Sequence, residues 1–472
     1  MRRADRYPES GMELRRDLSL FDLTNIVVGS IVGADIYIAS ALTAGLVGPF
    51  AIVVWMAAAA CATVLALVFA YCSYYLPLVG GPFAYVSEAF DDFYGFIAGW
   101  SLWIAEILSL PVFAIAFVQY LEYFLPLSAA GEVIVKGLFL GALTLVNIAG
   151  VKAAGRANDV LTMVKLLPLL ALVVFGLGTF LLNPAPFIAN YTPLAPLGFA
   201  GLGTAFVLIF WAYVGFEMGT FPASEVKDPT RNIPKAIISG MLIVTAFYLS
   251  TNFVVFGTVP WQVLAQSKTP LVLVGAALFG SAGAAFMTAG ALVSVSGSDE
   301  SGILGTARLS YAMAIDGLFP RAFALVHPRT GTPWAALVIE GVIAFGLSLF
   351  AGIPNLISFA VFNLAFAFLL TCLALTVLSR KSAGRLHGEG VLPWIGIIIC
   401  LYLLASTSLA DKIIGSLVIL AGIPLYVFFS PKTDIYHLKE LFTSEEAIFA
   451  RRMARQRRFL ANLVRLLHRI VE

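Results

Sequence analysis

Charge is scarce in this sequence. Asp, Glu, Lys and Arg supply 12% of 472 residues, about half the share usual in soluble domains. Sixty percent of the chain is hydrophobic, so a water-facing surface cannot be assembled from what remains, and the composition is that of a polytopic membrane protein. The formal net charge of +2 leaves no basic excess for nucleic acid. Cysteine is rare too: Cys61, Cys72, Cys372 and Cys400 each sit inside an apolar run with no CxxC spacing. That pattern excludes a metal-ligand arrangement and a disulfide framework and leaves four small buried hydrophobes. The four histidines, His327, His387, His437 and His468, fall in loops or the C-terminal tail, with no HExxH and no P-loop. No metal, no cofactor and no membrane enzyme is expected from them. Residues 1–20 lack the apolar region of a signal peptide, and the first apolar span is expected to act as its own insertion signal.

What is abundant is apolar run. Stretches of about 20 residues, the length that crosses a bilayer core, recur twelve times. They lie at residues 22–45, 49–76, 93–124, 132–149, 158–182, 198–222, 233–258, 282–311, 332–350, 354–379, 391–409 and 412–430. If both termini are cytoplasmic, 25 of the 29 Lys and Arg fall inside: five in the N-terminal tail, nine in the C-terminal tail and eleven in loops. Lys136, Lys268 and Lys412 fall outside and Lys165 lies within a span. That bias orients the chain and predicts an integral protein of the plasma membrane. The organisation expected is a cytoplasmic tail at 1–21, a first half at 22–182 (spans one to five), a second half at 198–379 (spans six to ten), two further spans at 391–430, and a basic tail at 431–472. In that tail RRMARQRR precedes Phe459, Leu463, Leu466, Leu467 and Ile470 at helical spacing. It reads as an amphipathic helix on anionic lipid, or as a positive-inside tail with no lipid preference. Residues 80–92 read as a short interfacial helix or an ordinary loop, with residues 269–280 as an extracellular counterpart.

Two spans are interrupted. In residues 23–40 the middle of an apolar span holds Gly29, Ser30, Gly33, Ala34 and Asp35. Glycine costs about 1 kcal/mol relative to alanine in a helix interior, and irregular backbone survives in lipid only where it is buried in protein or lines a cavity. In span six Gly215 interrupts a stretch containing Phe206, Phe210, Trp211, Tyr213 and Phe216, and Glu217 follows. Matching interruptions in two halves mark the solute site of transporters built from inverted repeats. Five spans reverse orientation, so spans one to five and six to ten would be inverted copies.

The chain resembles the amino acid–polyamine–organocation (APC) transporter superfamily. The matching segments are GSIVGA in span one, GFE and ASEVKDPTRNIPKAI after span six, and ARLSYAMAIDGLFPRAFALVHPRTGTP at residues 307–333. The resemblance implies an all-α LeuT-type fold of twelve transmembrane helices. Ten form a 5+5 inverted repeat with broken helices one and six, and two are peripheral. It also implies a substrate site between the broken helices. The amides of Ser30, Gly33, Ala34 and Asp35 would receive a substrate carboxylate. Carbonyls from Phe210 to Tyr213, beside Gly215, would receive an ammonium, with Phe210 or Trp211 as a lid. A structural reading stands beside this one: the aromatics pack, and Gly29 and Gly33 allow close helix approach.

Asp35 departs from the family pattern, which has a small residue there. Three readings stay open: it replaces the substrate carboxylate and selects an amine or polyamine; it carries a proton and serves coupling; or it turns away and pairs with another helix. Lys165 sits in span five, roughly 10 Å beyond Asn158. It either snorkels to the interface or, as in some members of the family, fills the region where sodium-coupled relatives hold a cation. There it would reach span-one carbonyls and span-eight hydroxyls from Ser294, Ser296 or Ser298. The second reading favours proton symport or exchange over sodium coupling. Glu106, Glu217, Asp299, Glu300 and Glu340 are further intramembrane acids and hence candidates, whereas Glu225 reads as part of a cytoplasmic network. Adjacent Asp299 and Glu300 point about 100° apart on a helix and cannot share one cavity. The function expected is secondary transport of an amino acid or amine by alternating access, with a proton as partner; a non-transporting solute sensor is the alternative from another class.

Overall fold

The computed structural model describes residues 18–430 except 79, 222, 224, 225 and 382–387, with backbone alone for 151–161 and 381. The basic tail and Glu225 therefore lie outside the described residues. Among the described residues the regular elements are all helices, with one isolated parallel bridge pairing Leu18 and Val226. In order come α1 (Leu20–Ile31), α2 (Ala34–Val47), α3 (Ala51–Tyr75), α4 (Pro82–Ala89), α5 (Asp92–Leu121), α6 (Ala129–Ala149), α7 (Val151–Leu182) and α8 (Pro184–Asn190). Then follow α9 (Leu202–Ala212), α10 (Pro229–Thr258), α11 (Trp261–Leu264), α12 (Pro270–Ile315), α13 (Trp334–Phe350), α14 (Ile353–Lys381), α15 (Leu392–Ser406) and α16 (Leu409–Phe429). Among the described residues nine stretches are long and apolar enough to span a bilayer, and α13 and α15 are shorter apolar helices. The first stretch, Leu20–Tyr75, is 56 residues long, about 84 Å if straight, and is divided at Gly33 and again at Gly48.

Local chemistry sets the ends. Ser19 and Asp22 form a reciprocal cap at the start of α1: Asp22 N donates to Ser19 Oγ (3.3 Å) and Ser19 N donates to Asp22 Oδ2 (2.8 Å). Asp91 caps α5 by accepting from Phe93 N and Tyr94 N. At residues 80–92 a helix does form, α4, and it is packed inside the protein rather than lying free on its surface. Its residues from Pro82 to Ser87 are buried, packed on α5 and α14. The reason is Gly95, where a Cβ would overlap the Ser87 hydroxyl at 1.7 Å, so that the two helices touch. At the other expected short piece, Gly280 (φ 67°) breaks α12. The segment before it folds back on the segment after it, close enough that a Cβ on Gly275 would lie 2.6 Å from the Gly283 carbonyl.

Helix α5 forms the centre, buried along most of its length between α12, α13 and α14. Helices α6, α7 and α16 carry exposed Leu138, Leu145, Leu167, Leu181, Leu417 and Leu420. Apolar surface of that extent belongs against lipid rather than water. Near α1, Val27 is pinched between two glycines: a Cβ on Gly219 would meet Val27 Cγ2 at 2.8 Å, and one on Gly240 would meet Val27 Cγ1 at 2.5 Å.

Candidate substrate site

The site grows from the two places where a helix stops inside the protein. Between α1 and α2, Val32 and Gly33 leave helical geometry, and the backbone groups released there must find partners without water. They find them on three helices. From α7, the Lys165 ammonium donates to Gly29 O (2.5 Å) and to Ser298 Oγ (3.1 Å). From α12, the Ser298 hydroxyl lies 2.7 Å from Val32 O and 2.9 Å from Gly29 O, and Ser294 Oγ donates to Val32 O at 3.3 Å. From α10, the Tyr248 hydroxyl lies 2.9 Å from Ile31 O and donates to Asp35 Oδ2. The other Asp35 oxygen accepts from Gly33 N at 2.7 Å.

The second break follows α9. Tyr213 N and Val214 N donate back to Phe210 O and Trp211 O, so those two carbonyls carry turn hydrogen bonds. Gly215 takes a φ of 123°, open to glycine and strained for other residues, and a 3-10 turn runs from Phe216–Thr220. The Gly215 N–H is donated to Glu217 Oε2 at 3.1 Å. Each break thus carries the same device: a glycine amide bonded to the carboxylate two residues on, Gly33 to Asp35 and Gly215 to Glu217. The breaks also touch, because a Cβ on Gly215 would sit 3.1 Å from Ile31 N.

Where they meet lies a narrow cavity with only about 40 Å³ of free space. Ser30 and Asp35 line it from the first broken span, and Trp211, Gly215, Glu217 and Met218 from the second. Glu106, Ser109, Leu110 and Phe113 line it from α5, and Ser298 and Gly302 from α12. Trp211 Nε1 donates to Ser109 Oγ (3.1 Å) and its ring leans on Phe113 at 5.8 Å.

The residues singled out in the sequence divide accordingly. Ser30, Asp35, Trp211, Gly215, Glu106, Glu217 and Ser298 line the cavity. Gly33 and Ala34 lie immediately behind it in the break. Phe210 points elsewhere and stacks on Phe206, and Tyr213 packs on Trp55 and Tyr248. Ser296 donates to Leu292 O of its own helix and plays no part in the break. Asp299 and Glu300 are buried outside the cavity lining. Glu300 carries Coulombic interactions with Lys165 and Arg308, and neither Asp299 oxygen has a hydrogen-bond partner. Glu340 accepts from Trp103 Nε1 and Ser310 Oγ, both at 2.8 Å, tying α13 to α5 and α12. Sequence reasoning missed Ser109, Phe113 and Tyr248. Nothing distinguishes them locally from other polar or aromatic residues of apolar helices.

Residues 18–429 match the sequence model of the family described as amino acid permease. The chain belongs to the amino acid permease family, within the APC superfamily. The permease is 26% identical over 442 residues to the branched-chain amino acid permease BcaP of Bacillus subtilis (strain 168), covering 89% of this chain and 94% of that one. It is also 26% identical over 444 residues to the methylthioribose transporter of the same organism, covering 89% and 95%. Its fold is that of the crystal structure of MhsT in complex with L-phenylalanine. The two match at a TM-score of 0.61 and 15% identity, over 87% of this permease and 99% of that chain. This is a LeuT-type fold. The permease is an integral membrane protein, and its relatives are permeases and transporters rather than enzymes.

The geometry separates the two aromatic lid candidates. Trp211→Ala removes cavity wall and the bond to Ser109, and should weaken ligand binding about tenfold or more, as expected for losing a large aromatic contact surface. Phe210→Ala should cost stability with affinity little changed. Ligand-induced thermal shifts of both variants check this, and the reverse order would place the lid at Phe210.

Proposed function

We propose that this permease is a secondary active transporter of amino acids that works by alternating access, coupled to protons or exchanging substrates rather than coupled to sodium. The observation that carries the coupling is the Lys165 ammonium on Gly29 O and Ser298 Oγ. The Lys165 ammonium already occupies the carbonyl and hydroxyl oxygens beside the first break, where a bound sodium would need them, and like charges there would repel. Lys165 is fully buried, which argues against snorkelling. Substrate would bind in the cavity between the breaks, with Trp211 over it. The relatives' names extend from branched-chain amino acids to methylthioribose, so the choice of solute has to be read from the cavity itself.

The twelve-span arrangement is part of this proposal. The double division of Leu20–Tyr75, the two shorter apolar helices α13 and α15 and the repeated glycine–carboxylate device support it, and the device supports the inverted 5+5 repeat. The Lys and Arg distribution supports a cytoplasmic position for both termini, and a plasma-membrane location is part of the same proposal. Asp35 as counter-ion to a substrate amine has less support. Both of its oxygens are engaged, by Gly33 and Tyr248, which favours an acid paired across helices at the edge of the cavity.

Uptake of an L-amino acid into proteoliposomes at fixed pH should be unchanged when external sodium is replaced by choline, and an imposed inward proton gradient or internal substrate should accelerate it severalfold. Uptake that requires sodium would sink the coupling proposal. Failure to concentrate any solute under either drive would favour a sensor.

A further inference from the structure

The first turn of α2 opens onto the cavity. A helix N-terminus offers amides without intrahelical partners and the positive end of the helix dipole, so it favours carboxylates. Here that seat is filled from within. Gly33, the N-cap of α2, donates its N–H to Asp35 Oδ1 at 2.7 Å, and the Asp35 N–H turns toward the same carboxylate. The seat is not sealed off, because Asp35 and Ser30 both line the cavity. Free space there is small, so an incoming carboxylate has to displace a group already present.

The titratable groups that act on Asp35 are Lys165 from α7, Tyr248 from α10, Tyr213 beyond α9 and Tyr37 of its own helix. Lys165 supplies the balancing positive charge. Tyr248 has two acceptors in reach, Asp35 Oδ2 and, at 2.9 Å, Ile31 O. It carries a single hydroxyl proton and also two lone pairs, so it can donate to either acceptor and accept in turn. The other two carboxyls of the cavity, Glu106 from α5 and Glu217 from the second break, are hydrogen-bonded to each other.

We infer that the Asp35 carboxylate is a tethered stand-in for the substrate carboxylate, and that an amino acid takes its place on the Gly33 amide as Asp35 takes up one proton from solution. This rests on the amino-acid and proton reading above and gives the proton an acceptor. Two carboxylates competing for one buried amide, with a single ammonium nearby, repel each other in a medium that solvates neither. The proton goes onto Asp35 Oδ2. That oxygen then donates to the Tyr248 hydroxyl oxygen, and the Tyr248 O–H turns to Ile31 O, so the pair stays hydrogen-bonded in both states. Oδ1 of the neutral acid is a weaker acceptor than a carboxylate oxygen and yields the Gly33 N–H to the substrate. The charge facing Lys165 is the same before and after, with the substrate carboxylate in place of that of Asp35.

Calorimetry on the purified full chain tests this with L-leucine, L-serine and L-phenylalanine as probes. Titrations at about pH 5.5 and about pH 7.5, each in two buffers of different ionisation enthalpy, count the protons taken up on binding. For a probe that binds, the expected result is uptake of about one proton per molecule at the higher pH and at least threefold tighter binding at the lower. Asp35→Asn keeps the size of the side chain and removes its charge. In that variant proton uptake should fall to near zero, and affinity at the higher pH should rise at least threefold, to the wild-type value at the lower pH. An acid with a purely structural role would not tighten binding when neutralised. Binding without proton uptake in the wild-type protein overturns the inference and leaves the amino-acid reading standing. Proton uptake that persists in Asp35→Asn assigns the proton to Lys165 or to the Glu106–Glu217 pair and overturns it too, as does loss of binding in a variant that still melts cooperatively. No response to any probe at either pH overturns the amino-acid reading, and this inference with it.

Discussion

Lys165→Ala is expected to abolish proton-driven uptake while leaving a folded, monodisperse protein. The Lys165 ammonium gives Gly29 O and Ser298 Oγ each a charge-assisted donor, and such bonds contribute about 1.5–3 kcal/mol apiece. Losing the bond to a single carbonyl would correspond to roughly a 10- to 100-fold loss. Both partners retain a second contact, because the Ser298 hydroxyl still reaches Gly29 O and Val32 O, so the break is weakened rather than dissolved. What disappears altogether is the one side chain here that can be a cation in one state and neutral in another. Uptake driven by a proton gradient should fall to background, and homoexchange of labelled for unlabelled substrate should survive at a reduced rate. Undiminished gradient-driven uptake in this variant would remove Lys165 from the coupling mechanism.

Gly33→Val is the second large effect expected. Even the first carbon of a side chain at this position would lie 2.7 Å from Ser298 Cβ, 2.7 Å from Ser298 Oγ and 2.8 Å from Phe113 Cε1. Two of these contacts are with a residue that ties α12 to the break, so relief by displacement would pull Ser298 away from Gly29 O and Val32 O. Overpacking alone costs about 1–3 kcal/mol, and the branched chain adds stiffness beside a non-helical joint. Transport should be lost with thermal stability visibly reduced, and Gly33→Ala should show the same loss in weaker form. Normal uptake by Gly33→Val would mean that α1 and α12 stand further apart in the working protein.

The helices could be read from the chain because an apolar run long enough to cross a bilayer leaves few options. The start of α5 at Asp92 and the end of α16 at Phe429 fall within a few residues of the expected bounds. The two interruptions were legible for a related reason: glycine at the middle of an apolar span has no use for an uninterrupted helix. Lys165 announced itself by being a cation where none belongs. What the sequence hid is which side chains meet. Tyr248 reaches Asp35 from the middle of α10, and nothing in its own neighbourhood marks it out from Tyr191 or Tyr213. Aromatic richness around Gly215 suggested that Phe210 or Trp211 faces the ligand, but adjacent residues on a helix point about 100° apart, and only the packed structure assigns Trp211 to the cavity and Phe210 to the core. Glu106 and Glu217 were each visible as costly intramembrane acids, while their approach to one another depends on how α5 crosses the second break.

Val27 carries a mechanical consequence. Its side chain is held on one side by Gly219 in the 3-10 turn and on the other by Gly240 in α10, with no room for a single added carbon at either place. Close-packed contacts of this kind resist sliding and transmit displacement instead. In an alternating-access cycle, α1 and the Phe216–Thr220 turn would then swing as one lever pivoting at the two glycine gaps. The acid of the second break would arrive at and depart from the cavity in step with the first break, and the two gates would not open independently.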